Sequence, residues 1–190
     1  MKLGLGLATL IIAGSAIAAP KSSSPKPWAQ EPDSFMGISF DQKLVYSLPQ
    51  CPAGYDLPTA PCRGEPYQGL YTIKGTPAIG LGYSLSAMAK TGPVDYFYLT
   101  THSDDFLRLE QLFISKYGQP SKRSTEVVKT KVGAEFTNER LQWIGKKVEI
   151  LLQKYDGDID TSSASLNSRA ATQRSVIEGG QKIQDAASKL

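Results

Sequence analysis

One histidine, two cysteines and a run of alternate aspartates are the residues of this chain best suited to chemistry. His102 stands beside Ser103, Asp104 and Asp105, but sequence neighbours cannot converge as a nucleophilic triad, whose members come from separated segments. A small hydrolase using His102 as base would need a distant serine and carboxylate folded beside it; the position equally suits a cap at a strand-to-helix junction. The stretch Gly80-Leu81-Gly82-Tyr83-Ser84-Leu85-Ser86 fails as a nucleophile elbow, because Ser86 stands where the last glycine belongs. It fails as a dinucleotide loop too, with Leu85 at the third glycine. No catalytic residue is assigned and no cofactor is called for.

Asp156, Asp158 and Asp160 match the first three oxygen-ligand positions of a calcium loop. Thr161 replaces its sharp-turn glycine and Asn167 its bidentate glutamate, so a calcium-stabilised structural module is a weak alternative to a solvated acidic turn.

The two cysteines take their meaning from the compartment. Residues 1–18 carry Lys2, an apolar stretch from Leu3 to Ile12 and the small-x-small pattern Ala16-Ile17-Ala18, which reads as a secretory signal peptide cleaved before Ala19. The first cysteine, Cys51, lies far from that site, so lipid attachment there is excluded. The expected location is the periplasm or beyond. Oxidising compartments keep disulfides, and Cys51 and Cys62 have only each other to pair with. The loop between them already bends through Pro52, Gly54, Pro58 and Pro61.

The full chain of 190 residues has 41% hydrophobic and 21% charged residues and a net charge of +3. Removing Lys2 with the leader lowers this to a near-neutral balance that disfavours a dedicated nucleic-acid binder. Past the leader, no apolar run reaches the ~18 residues of a membrane span.

Composition divides what remains. Eleven of the twelve prolines lie between residues 19 and 102. Residues 19–34, with four of them and Ser22-Ser23-Ser24, read as a disordered tether. A single domain over 35–190 follows, with a turn-rich β part (35–102) and a helix-meander-helix part (103–190). In the first, alternating Leu44, Tyr46 and Leu48 predict an extended segment, and short strands are expected near Gly69–Ile73, Ala78–Leu85 and Val94–Thr100. In the second, Ser103 is the expected N-cap of a helix carrying Phe106, Leu109, Leu112, Phe113 and Tyr117, stopped by Gly118 and Pro120. Val128, Thr130, Val132, Ala134 and Phe136 predict one half-buried strand, with a turn at Asn138. Leu141 and Trp143, then Val148, Ile150 and Leu152 after a hairpin at Gly145-Lys146, predict two more, and a polar strand runs from Ile159 to about Leu166.

The expected fold is therefore α+β: an antiparallel sheet meander packed against one long helix, with a C-terminal helix and a Pro/Gly-rich, disulfide-bearing N-terminal half. That last helix, Arg169 to Leu190, has Val176, Gly180, Ile183, Ala187 and Leu190 along a stripe expected to cover its own core, and a weak point at Gly179-Gly180.

Lys122, Arg123, Lys129 and Lys131 form the main basic stretch, flanked by Lys116 and by Lys146-Lys147. Lysines alternating on an exposed strand protect a sheet edge against aggregation; the same face could meet an anionic envelope component or an acidic protein. Tyr55, in the disulfide loop, is a further candidate contact. Several segments together resemble small, exported, uncharacterised proteins of Gram-negative bacteria: Phe35-Met36-Gly37-Ile38 ahead of Cys51-Pro52, Asp105-Phe106, Lys116-Tyr117-Gly118-Gln119-Pro120, Trp143 and Ile150-Leu151-Leu152-Gln153-Lys154. The resemblance implies a periplasmic α+β protein and brings no catalytic residues. The functional expectation is an exported, non-enzymatic binding protein of the bacterial cell envelope.

Overall fold

The computed structural model describes residues 28–54, 58–90 and 92–190. The leader, most of the expected tether and Tyr55 lie outside them. Strands β1 (Ser34–Phe35) and β2 (Ile38–Ser39) form a small hairpin, followed by the single turn α1 (Leu44–Ser47). Then come β3 (Cys62–Arg63), β4 (Leu70–Lys74), β5 (Ser84–Met88) and β6 (Tyr96–His102). A 3-10 turn at Ser103–Asp105 runs into α2 (Phe106–Tyr117), followed by β7 (Lys122–Lys129), β8 (Glu135–Ile144), β9 (Val148–Gln153), β10 (Thr161–Ser168) and α3 (Arg169–Ala187). Eight strands make one antiparallel sheet in the order β3-β4-β5-β6-β10-β9-β8-β7. Among the described residues no helix is long and apolar enough to cross a membrane.

The register explains which face is the core. Leu85 pairs with Leu99 and Ala87 with Phe97; Ala164 lies between Leu99 and Leu152, and Leu166 between Phe97 and Ile150. Alternate residues of each strand point the same way, so these side chains share one face, and all are buried. Helix α2 lays Phe106, Leu109, Phe113 and Tyr117 into that core. Phe35, Ile38, Phe40, Leu44 and Leu48 complete it from the N-terminal segment. Each of the larger side chains adds about 1.5–3 kcal/mol by leaving water.

The α+β class, the antiparallel sheet and the C-terminal helix are as the sequence implies, but the details differ in instructive ways. The helix over the sheet, α2, has 12 residues and is not long. The 3-10 turn that leads into it is capped by His102, whose side chain accepts from Asp104 N, α2 itself starts after Asp105 without a side-chain cap bond, and the Ser103 hydroxyl donates to Ile159 O at 2.8 Å. Residues 44–47 are a helical turn because Leu44 and Leu48, four apart, are the buried pair, while Tyr46 is 82% exposed. The strand expected over 78–85 begins only at Ser84. The polar strand expected to end a four-strand meander is β10, which lies centrally between β6 and β9 and joins both halves into one sheet.

The single strand expected over 128–136 is two strands. The alternation runs unbroken through Thr130, Val132 and Ala134, but Gly133 adopts φ +86°, a left-handed turn conformation that the alternation of side chains does not register. Asn138, expected at a turn, is instead buried inside β8. Its amide donates to Tyr155 O and accepts from Tyr155 N, both at 2.9 Å, so the side chain stands in for a strand partner.

Residues 28–34 are not a tether. Trp28 Nε1 donates to Tyr117 O at 2.7 Å, and Trp143 Nε1 donates to Gly118 O at 2.8 Å, so two indoles satisfy carbonyls at the end of α2. Glu31 accepts from the amides of Lys147 and Val148, and Asp33 pairs with Lys147 at 2.5 Å, which raises the Lys147 pKa. The segment straps the β8–β9 turn to the helix end.

Candidate functional site

The two ends of the sheet are built from different sequence. At β3, the disulfide between Cys51 and Cys62 is formed. The segment leading to Cys51 lies alongside: Cys51 N donates to Arg63 O at 2.8 Å and Arg63 N to Pro49 O at 2.9 Å. That edge is occupied. At the other end β7 is an eight-residue strand, Lys-Arg-Ser-Thr-Glu-Val-Val-Lys, exposed along almost its whole length. Its β-branched Thr125, Val127 and Val128 favour the extended conformation without any buried face to hold them.

The register shows which backbone groups β7 leaves unused. Lys122 lies opposite Gln142 and Lys129 opposite Glu135, and the hairpin is closed by Thr130 N donating to Ala134 O at 2.9 Å. Hydrogen-bonded and non-hydrogen-bonded pairs alternate in an antiparallel ladder. Residues 122, 124, 126 and 128 therefore direct their N–H and C=O groups towards β8, and Arg123, Thr125, Val127 and Lys129 direct theirs outwards. This row is a template for an added strand.

The basic residues are distributed around this edge rather than massed on one face. Arg123 pairs with Glu110 of α2 at 2.5 Å and Lys129 with Glu135 at 2.8 Å. Lys122, one residue from Arg123, points to the opposite face. Among the described residues Lys122 and Lys131 have no acidic partner within ion-pair distance, so the edge is mildly basic and not a polyanion track. On the outer face Glu126 pairs with Arg140 at 3.1 Å.

Beside the end of β7 lies an open cleft of about 560 Å³, lined by residues 128–132 on one side and Tyr155 and Gly157–Ile159 on the other. It brings together features that are separate in sequence. Lys129 and Lys131 of the basic stretch face Asp158 of the acidic turn, with Val128, Val132, Tyr155 and Ile159 supplying apolar surface. Val132 is 91% exposed at the tip. Phe136 supports Tyr155 edge-on, with ring centroids 5.8 Å apart.

The acidic turn does not gather three carboxylates. No cluster of metal-ligand side chains occurs among the described residues. Asp156 is turned into the sheet, accepting from Tyr98 Oη at 2.6 Å and Ser163 Oγ at 2.5 Å, while Asp158 accepts from Asp160 N. Burial raises the Asp156 pKa, but the bonds from Ser163, Tyr98 and Gln153, with the charge of Arg140, outweigh it and hold the carboxyl below its ordinary value. Burial, followed by the bond and charge of Asp156, pushes the Tyr98 phenol up to about 12. This network pins the turn that forms the far wall of the cleft.

His102 is exposed at the sheet end. Its Nδ1 lies 3.3 Å from both Asp104 N and the Asp104 carboxylate, and among the described residues it has no other hydrogen-bond partner. The imidazole serves as a cap. No family model, curated protein or solved structure matches the chain. Its own geometry is thus the basis for a functional reading, and the most developed unsatisfied feature is the β7 edge with its adjoining cleft.

The sequence reading named four residues of this region, Lys122, Arg123, Lys129 and Lys131, for their charge. A protected sheet edge is one of the readings of those lysines, but the sequence does not show that 122–129 is a separate edge strand, nor the cleft residues Val132, Tyr155 and Ile159. Gly133 was the available signal: a glycine in the middle of an alternating run marks a bulge or turn, and a hairpin there makes 122–129 a strand of its own.

Proposed function

We propose that this protein is an exported, non-enzymatic binding protein of the bacterial cell envelope that captures an extended segment of an envelope protein as a strand added along β7. The observation that carries the reading is the row of outward backbone groups at Arg123, Thr125, Val127 and Lys129 on an exposed edge strand. In strand addition, main-chain hydrogen bonds supply affinity and side-chain pockets supply specificity. The cleft beside Val128 offers a seat for one apolar side chain, and Lys131 favours an acidic neighbour on the captured segment. The leader pattern and the disulfide support an exported setting.

The probe is a synthetic peptide of about ten residues alternating glutamate with valine, titrated by fluorescence anisotropy. Thr125→Pro removes an outward N–H and blocks the added strand while leaving the β7–β8 ladder its own bonds. Saturable binding that falls at least tenfold in Thr125→Pro is the expected result. No binding, or equal binding by both proteins, contradicts strand addition. Binding abolished by moderate salt but indifferent to Thr125→Pro would instead indicate an anionic partner held by charge alone.

A further inference from the structure

Helix α3 spans 19 residues, of which only Ala171 is buried. It follows β10 and is tied to the body by Arg174 pairing with Asp95 at 2.9 Å, but the stripe expected to cover its own core does not: Val176 is 69%, Ile183 72% and Leu190 109% exposed. Gly179 and Gly180 lie inside the helix, where each costs about 1 kcal/mol against alanine. A side chain built at either would meet nothing within 4 Å, so the packing of a single copy gives no reason for glycine there. A marginal helix with exposed valine, isoleucine and leucine needs a partner to be stable in water.

The spacing identifies that partner. Val176 and Ile183 in the helix, and Leu190 three residues past its end at Ala187, repeat every seven residues, as in the seam of a two-stranded coil. Small or short residues, Thr172, Gly179 and Ala186, hold the alternate seam positions. Two copies running antiparallel about an axis near Gln181 place Val176 against Ala186, Ile183 against Gly179 and Leu190 against Thr172 of the other copy. Every large side chain then meets a small one. Parallel pairing in register would stack large on large and leave voids at the glycines. We infer that α3 is a self-association element through which two copies of this chain pair antiparallel.

The surroundings fit this occupant. One side of α3, through Thr172, Val176 and Gly179, forms a groove of about 810 Å³ whose opposite wall includes Met88 and Tyr96. Antiparallel pairing brings Leu190 of the other copy to Thr172, at the mouth of that groove. From Thr172 to the helix end at Ala187 the paired strip is about 23 Å long by helix rise and about 20 Å wide, counting one helix diameter and the groove wall. That is on the order of 450 Å² per copy, or about 900 Å² in total, in the range of weak, transient pairs. The expected dimer is accordingly weak, with a dissociation constant in the micromolar range. Lys182 approaches its own copy across the axis, with Glu178 one turn earlier on the same helix as a local counter-charge.

Sedimentation equilibrium of the whole protein over a wide micromolar range tests the inference. The expected result is a monomer–dimer equilibrium that Ile183→Glu weakens at least tenfold without altering thermal unfolding of the monomer, because Ile183 is largely exposed in a single copy. Gly179→Ala, at the seam position that faces Ile183, separates the alternatives further: it raises helicity yet, by blocking close approach, should weaken association several-fold, and association strengthened by the added helicity would count against the pairing. Thr172→Cys and Leu190→Cys proteins should cross-link when mixed and not when oxidised separately. A monomer at every concentration, association unaffected by Ile183→Glu, or cross-linking of each cysteine variant only with itself would overturn the proposal.

Discussion

The two edges of the sheet solve the same physical problem in opposite ways. A terminal strand exposes a row of backbone donors and acceptors that any extended chain can join. At β3 the protein fills the row itself: the strand is two residues long, residues 49–51 lie against it, and Cys51–Cys62 locks the arrangement. At β7 it leaves eight residues open and relies on side-chain charge at Lys122, Arg123 and Lys129 to discourage casual pairing. A chain that closes one edge with a covalent bond has the means to close the other. The contrast is what supports the proposal that β7 is the edge where another polypeptide is accommodated.

Breaking the closed edge should have the largest effect. Replacing Cys51 and Cys62 by serine releases the loop constraint and costs about 3 kcal/mol, a fall in Tm of about 6–12 °C for a chain of this size. Differential scanning calorimetry with and without reductant checks it, and peptide binding at β7 should be unchanged in the folded variant. Next in size is a comparison of neighbours within the open edge. Ser124 directs its N–H at β8, so Ser124→Pro breaks the ladder and costs about 2 kcal/mol, whereas Thr125→Pro costs less than about half of that yet abolishes strand addition. Chemical denaturation and anisotropy measured on both variants separate the two effects. If both substitutions destabilise alike, the assigned register of outward groups is wrong.

Smaller effects come from the cleft wall. Asp156→Asn weakens the bonds from Tyr98 and Ser163 and should cost about 1 kcal/mol at neutral pH. Because the folded carboxyl has a lowered pKa, its stabilising contribution is present above the ordinary carboxyl range and is lost as pH falls through the depressed folded value. Acid titration of stability should therefore be shallower for Asp156→Asn than for the parent below about pH 4. A steeper acid loss in the variant would contradict this. Smallest is Lys131→Glu, which should weaken the acidic probe about threefold through lost charge complementarity at an exposed site, with no change in Tm.

The parts of the fold visible in the sequence were those governed by local periodicity and by compartment. Phe106, Leu109, Phe113 and Tyr117 announce α2, the alternation of Val148, Ile150 and Leu152 announces β9, and a leader with two cysteines announces the disulfide. What stayed hidden depends on long-range pairing. Ser162 and Ser163 belong to what reads only as a polar strand, because nothing local indicates that β10 sits between β6 and β9, where both serines are buried. Residues 28–34 read as tether because the groups that Trp28 and Glu31 bind, at Tyr117 and at the β8–β9 turn, are about ninety and more than a hundred residues away. The site was half legible for the same reason. Charge at Lys129 and Lys131 is a local property, but the cleft exists only once Tyr155 and Ile159 are folded against them, and an open edge is a property of sheet order.

Amide hydrogen exchange along β7, read residue by residue by NMR with and without the glutamate–valine peptide, tests the central claim most directly. In the free protein the amides of 124, 126 and 128 should be protected and those of Arg123, Thr125, Val127 and Lys129 should exchange quickly. Saturation with the peptide should slow the second set at least tenfold and leave the first set unchanged. Outward amides that stay fast under saturating peptide, or protection that appears instead on the β3 side of the sheet, would contradict it.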